Sequence, residues 1–228
     1  MEIFIPVSLA LVIGLVHFFG EEIDEYTGTY NFLIVSFSAG LTVSYFFSTL
    51  IPEVMSNLSF PVQNASILAG FSAFYVLEEV LYKRGQNLGE IKTEFKEAHS
   101  LFIVFYHVVI GMILGFLASE SFKQMLLFFL PVLLHTLVNS LSIKEMHEEM
   151  LQNIYVKVFA SLATLVGVLI TLSFDISAKL SYNLLGIVGG AFIYIVIHDA
   201  LDPRRERPVG FISGVSAFIV FMFAVTGI

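Results

Sequence analysis

No cysteine occurs in the chain, which excludes disulfides, thiolate metal sites and a cysteine nucleophile. Charge is almost as scarce. Asp, Glu, Lys and Arg make up 13% of 228 residues, against roughly 25% in an ordinary soluble domain. A positively charged leader is missing too: Met1, Glu2 and Ile3 open the chain and no small-residue cleavage site follows, so the first apolar run reads as a retained helix rather than a signal peptide. A net charge of -8 argues against nucleic acid as a partner.

What fills the space is apolar. Hydrophobic residues are 57% of the chain and the mean hydropathy is +0.88, so the expected solvent is a lipid bilayer. With about 20 apolar residues needed per crossing, the chain has room for several spans and little for a soluble domain. Eight apolar stretches have spanning length, at about 3–20, 32–55, 62–82, 101–118, 125–143, 156–174, 180–200 and 209–228. None alternates as a barrel strand would. Helices alone satisfy their own backbone in lipid, so the fold expected is an all-α bundle of about eight transmembrane helices forming one domain over 1–228. The polar link at about 83–99 reads as the seam between helices 1–3 and helices 4–8. Gly111 and Gly115 form a GxxxG pair suited to close helix packing.

Orientation follows Lys and Arg. Lys83, Arg84, Lys92, Lys96, Lys144, Lys157, Arg204, Arg205 and Arg207 all fall on one face of an eight-helix topology, and Lys123 and Lys179 on the other. The odd-numbered links are therefore expected in the cytoplasm and both chain ends outside.

The residues that do not belong in lipid are the candidate functional groups. His107 lies inside FIVFYHVVIGMILGF, and His135 inside LLFFLPVLLHTLVNSL with Asn139 four residues on. An ionisable group at membrane depth costs several kcal/mol unless it faces protein or a water path. His135 and Asn139, at i and i+4, share one helix face. Both types of side chain can ligate a metal. Pro131, one turn before His135, removes a backbone donor and is expected to bend or loosen its helix. Glu53, after Pro52, reads as an interfacial carboxylate. Glu78 and Glu79 stand about one turn before Lys83 and Arg84, as ordinary i,i+4 pairs do. A second polar set gathers at the cytoplasmic helix ends: His17 with Glu21, Glu22, Asp24 and Glu25, then Glu145, His147, Glu148 and Glu149, then His198, Asp199 and Asp202.

On these residues the chain resembles the ZIP (Zrt/Irt-like) divalent-metal transporters. FSAGLTVSYFFSTLIPEV resembles that family's second helix, with its F-x-A-G opening and P-E close, while LAGFSAFYVLEEVL and GIVGGAFIYIVIHDALDP resemble its third and seventh. The resemblance implies eight helices, outside termini and transport of a divalent cation, zinc first; beside the bilayer and the ion, a homodimer is a partner the sequence leaves open. The family's helix 4 pattern H-N-x-x-[DE]-G falls on His107, with Val108 and Gly111 in place of the second ligand and the carboxylate. Its helix 5 pattern H-E-x-P-[HE] falls on His135, with Thr136, Val138 and Asn139 in place of acid, proline and last ligand. The site implied is His107, His135 and Asn139, joined by Ser44, Ser48 or Thr49 of helix 2, and holding one ion, in a carrier or in a relative that binds without transporting. The alternative resemblance is to the CAAX-type (CPBP) intramembrane proteases, through Glu78-Glu79, His107 and His135-x-x-x-Asn139. There a glutamate would activate water, the histidines would orient it, and Asn139 would stabilise an oxyanion.

Overall fold

The computed structural model describes residues 3–27, 31–85, 92–147, 154–200 and 207–227. Among them every regular element is helical, and the fold is an all-α bundle. Its eight helices are α1 (Phe4–Thr27); α2, built from Asn31–Tyr45, a π-helical turn Phe46–Leu50 and Ile51–Asn57; α3 (Phe60–Gly85); α4 (Lys92–Glu120); α5 (Phe122–His147); α6 (Ile154–Ser173); α7, Ala178–Ile195 followed by the π turn Val196–Ala200; and α8 (Pro208–Thr226). The polar link is shorter than its composition suggests, since α3 runs on to Gly85 and α4 already begins at Lys92.

Pro131 does not interrupt α5, which passes through it as one helix. The disruption sits in α2 instead. Pro52 cannot donate to Ser48, and its ring crowds that carbonyl. The preceding turn widens, and the Ile51 N–H bonds the Phe46 oxygen five residues back.

The helices sort into two groups. In α2, α3, α7 and α8 lie the four stretches long and apolar enough to cross a membrane: Phe32–Asn57, Phe60–Leu77, Ala178–His198 and Pro208–Thr226. The apolar stretches of α1, α4, α5 and α6 are shorter, Phe4–Gly20, Val104–Glu120, Phe122–Val138 and Lys157–Ser173. Contacts follow the same division: α4 and α1 pack on α6 and α1 on α5, while α3 packs on α7 and α2 on α8. Helices 1–3 and 4–8 are therefore not separate bodies, because α1 belongs with α5 and α6 and α3 with α7.

Glycines make these pairings close. A Cβ at Gly40 would overlap the Phe211 carbonyl oxygen, and one at Gly214 that of Phe37; a Cβ at Gly190 would overlap the oxygen of Ile67, and one at Gly70 that of Ile187. The two crossings are copies of each other. Phe37, Gly40 and the turn Phe46–Leu50 correspond to Ile187, Gly190 and Val196–Ala200 at a constant shift of 150, and Ile67 and Gly70 to Phe211 and Gly214 at 144. In α1 and α6, Ser8-Leu9-Ala10 with Gly14 corresponds to Ser161-Leu162-Ala163 with Gly167. Helices α1–α3 and α6–α8 thus form an internal repeat. The copies start five helices apart, an odd number, so in an up-and-down bundle the second runs inverted to the first.

Candidate functional site

The site is built where α4 crosses α6. Gly111 and Gly167 let the two backbones meet, Gly111 against the Thr164 carbonyl and Gly167 against that of Val108. This contact sets the depth of His107, one turn before Gly111. It brings the Thr164 hydroxyl to 3.3 Å from His107 Nδ1. A second close contact, Gly14 of α1 against the Ser161 carbonyl, sets the depth of His17 in the same way. The His17 and His107 rings meet edge to face, centroids 5.0 Å apart and planes at 87°.

His107 and His135 are each 4% exposed. His135 lies within electrostatic reach of His107, and its ring tilts onto Phe192 of α7 at 4.8 Å. Phe192 also meets Tyr106 at 6.2 Å, and Tyr106 meets Phe74 of α3 at 5.1 Å. His135 therefore lies against Phe192 of α7, and His107 against Tyr106 of its own helix, their ring centroids 5.8 Å apart. Within this buried layer, His17 Nδ1 and the Tyr106 hydroxyl have no hydrogen-bond partner among the described residues, and in α2 neither does Thr42 Oγ1.

Of the residues expected to form the site, His107 and His135 come together and Asn139 follows on α5, its side chain outside the described residues. Those of Glu78, of Glu21 to Glu25 and of Glu145 to Glu149 are outside them too. The hydroxyls of Ser44 and Ser48 are engaged by their own helix. Ser44 Oγ donates to the Gly40 carbonyl at 2.8 Å, Ser48 Oγ donates to the Ser44 carbonyl, and Ser48 is exposed. Among the described residues no three His, Asp or Glu side chains stand at mutual metal-binding separation.

His17 is the functional candidate misplaced by sequence reasoning, which grouped it with the acidic helix ends. It lies inside the apolar run Phe4–Gly20 and packs in the bundle. Its position three residues after Gly14 was the available signal. Behind it Lys157 of α6, also buried, sets its ammonium 5.0 Å from the Phe18 ring centroid.

A second polar cluster closes the opposite end of the bundle. Glu53 accepts hydrogen bonds from Gln124 Nε2 at 2.7 Å, Asn57 Nδ2 at 3.1 Å and the Tyr182 hydroxyl at 3.2 Å. Gln124 opens α5 and Tyr182 opens α7, so this half-buried carboxylate joins both helix groups. Beside it, Lys123 Nζ donates to the Thr226 carbonyl at 2.8 Å, a second tie from α5 to α8. No model of a known protein family matches the chain, and no curated protein matches it in sequence.

Proposed function

We propose that the chain is a ZIP-like multi-pass membrane carrier for one divalent transition-metal cation, zinc first. The cation passes along His107, His135 and Asn139 between the two helix groups. One observation carries the reading: two buried histidines, on α4 and α5, lie within electrostatic reach of each other beside the two copies of an inverted repeat. Membrane carriers built from such repeats place their substrate site near mid-membrane at the repeat interface. Imidazole suits zinc, copper and nickel, whereas magnesium and calcium require oxygen donors.

Movement is a rocking of α1, α4, α5 and α6 against α2, α3, α7 and α8. The Lys- and Arg-rich links lie in the cytoplasm and both chain ends outside. On that orientation Glu53, Gln124, Lys123 and Thr226 form an outer latch. The chain has no cysteine, so one introduced by Val54→Cys, at a fully buried site beside the latch, reports opening through reaction with a water-soluble thiol reagent. A hydrogen bond to a charged group contributes about 1.5–3 kcal/mol, and Gln124→Leu is therefore expected to raise the labelling rate roughly 10- to 100-fold. An unchanged rate removes the latch from the mechanism.

The test of function is uptake of zinc, manganese, iron(II) and cadmium into proteoliposomes. The expected result is uptake by the intact protein that disappears in the His107→Ala, His135→Ala double variant. No uptake above empty liposomes for any of the metals overturns the transport reading.

A further inference from the structure

We infer that the cargo ion first rests on a pair of imidazoles, His17 of α1 and His107 of α4, with Thr164 of α6 as the residue that positions His107, and that His135 is the next station along the path. The inference rests on the carrier reading above and gives the site a ligand that neither the sequence pattern nor the family resemblance supplies.

A ring nitrogen lies about 1.1 Å from the centroid of its imidazole, and zinc-to-nitrogen bonds are about 2.0–2.1 Å, so two imidazoles at a tetrahedral angle about one ion have centroids about 5.2 Å apart. The His17 and His107 centroids are 5.0 Å apart with the rings edge to face, so rotation about the side-chain bonds is what turns their nitrogens onto one ion, without a change in helix spacing. The glycine contacts Gly14–Ser161 and Gly111–Thr164 clamp α1 and α4 to the same helix, α6, so this spacing is set by backbone packing.

A metal-ligating histidine engages its other ring nitrogen with an outer group, which fixes its tautomer and ring orientation. His107 has that group in Thr164 Oγ1, 3.3 Å from Nδ1, so Nε2 is assigned to the ion. His17 Nδ1 is buried with no hydrogen-bond partner among the described residues. Such an atom is costly to leave unsatisfied, and a bound ion supplies what it lacks.

The pair offers two nitrogens and no carboxylate, and water completes the coordination sphere. Nitrogen donors rank the divalent ions toward cobalt, nickel, copper and zinc and give magnesium, calcium and manganese little hold. His135, its ring tilted onto Phe192 and within electrostatic reach of His107, is the receiving ligand.

The experiment titrates the purified full-length protein in lipid nanodiscs with Co2+, whose visible ligand-field bands report nitrogen coordination, and competes it with Zn2+, Mg2+ and Ca2+. One Co2+ is expected to bind, displaced by Zn2+ and by neither hard ion. His17→Phe and His107→Phe, which keep ring volume, are each expected to lower Co2+ affinity at least 10-fold. Thr164→Val is expected to lower it about 10-fold, as loss of an outer-shell partner does. His135→Phe keeps Co2+ binding and loses proteoliposome uptake. A His17→Phe protein that binds Co2+ like the parent, while His107→Phe and His135→Phe do not, overturns the pair and leaves the carrier reading standing. Intact protein that neither binds Co2+ nor takes up any metal overturns both. Imidazoles counted by electron spin-echo modulation on the Cu2+-loaded His135→Phe protein separate the pair from a His107–His135 site: two support the pair, one overturns it.

Discussion

Gly190→Val is expected to abolish assembly of the bundle, and Gly40→Val to do so to the same degree. A Cβ at Gly190 would overlap the Ile67 carbonyl oxygen and stand 2.8 Å from the Phe71 nitrogen; at Gly40 it would overlap the Phe211 oxygen and stand 2.9 Å from its carbonyl carbon. Both obstacles are backbone, which cannot rotate aside as a side chain would. The helices must instead separate along the whole crossing, and every dispersion contact there weakens together. On the membrane reading proposed above there is little hydrophobic drive to restore the pairing, because acyl chains are as apolar as the side chains they replace. The cost is expected to exceed about 4 kcal/mol, the exceptional end of single substitutions. Size-exclusion profiles and thermal melts in detergent measure it, with Ala73→Val on the exposed side of α3 as a control that changes stability by less than about 0.5 kcal/mol. If Gly40 tolerates valine and Gly190 does not, the two crossings are not equivalent parts of a repeat.

Eight helices were legible because lipid-compatible runs and charged links alternate so clearly. Their partners were not. A glycine such as Gly40 announces that something comes close, but nothing local says that Phe211, so far along the chain, is what comes. The repeat lay half in view: Ser8-Leu9-Ala10 and Ser161-Leu162-Ala163 share letters, each followed by a glycine at the same interval, whereas α2 and α7 share a backbone shape and few residues. Helix ends were misjudged for another reason. Hydropathy marks where lipid is tolerated, while α1 continues to Thr27 and α4 begins at Lys92 through charged residues that are good helix formers outside an apolar layer.

The same limit governs the site. His107 and His135 could be singled out because an imidazole in an apolar run is costly wherever it lies. Ser44 and Ser48 could not be dismissed in advance, since only the folded helix shows their hydroxyls bonded to their own backbone. Pro131 and Pro52 look alike in sequence, yet only the turn before Pro52 opens. Glu53 was recognised as an interfacial carboxylate, but its role as a tie depends on Gln124 and Tyr182 arriving from two other helices.

Placing a carboxylate at position 139 is expected to have the largest effect on the proposed cargo. Asn139 follows His135 by one turn of α5, so a glutamate there starts from the same helix face as His135. A divalent ion and a carboxylate 4 Å apart attract by about 8 kcal/mol at an effective dielectric of about 20. Desolvation of both charges cancels much of this, leaving on the order of 3 kcal/mol, roughly 100-fold in affinity. Asn139→Glu should therefore hold Co2+ or Zn2+ at His135 about 100-fold more tightly than the parent does, which moves the resting ion from the His17–His107 pair to that station. Its thermal stability should fall without metal, because a carboxyl group without its cation is costly at that depth, and recover when metal is added. Uptake should move the opposite way. An ion held 100-fold more tightly leaves its site more slowly, so turnover at saturating metal is expected to drop while the concentration for half-maximal uptake falls. Equal Co2+ affinity in parent and variant would mean that position 139 does not face the ion, and the path would then run over the histidines without it.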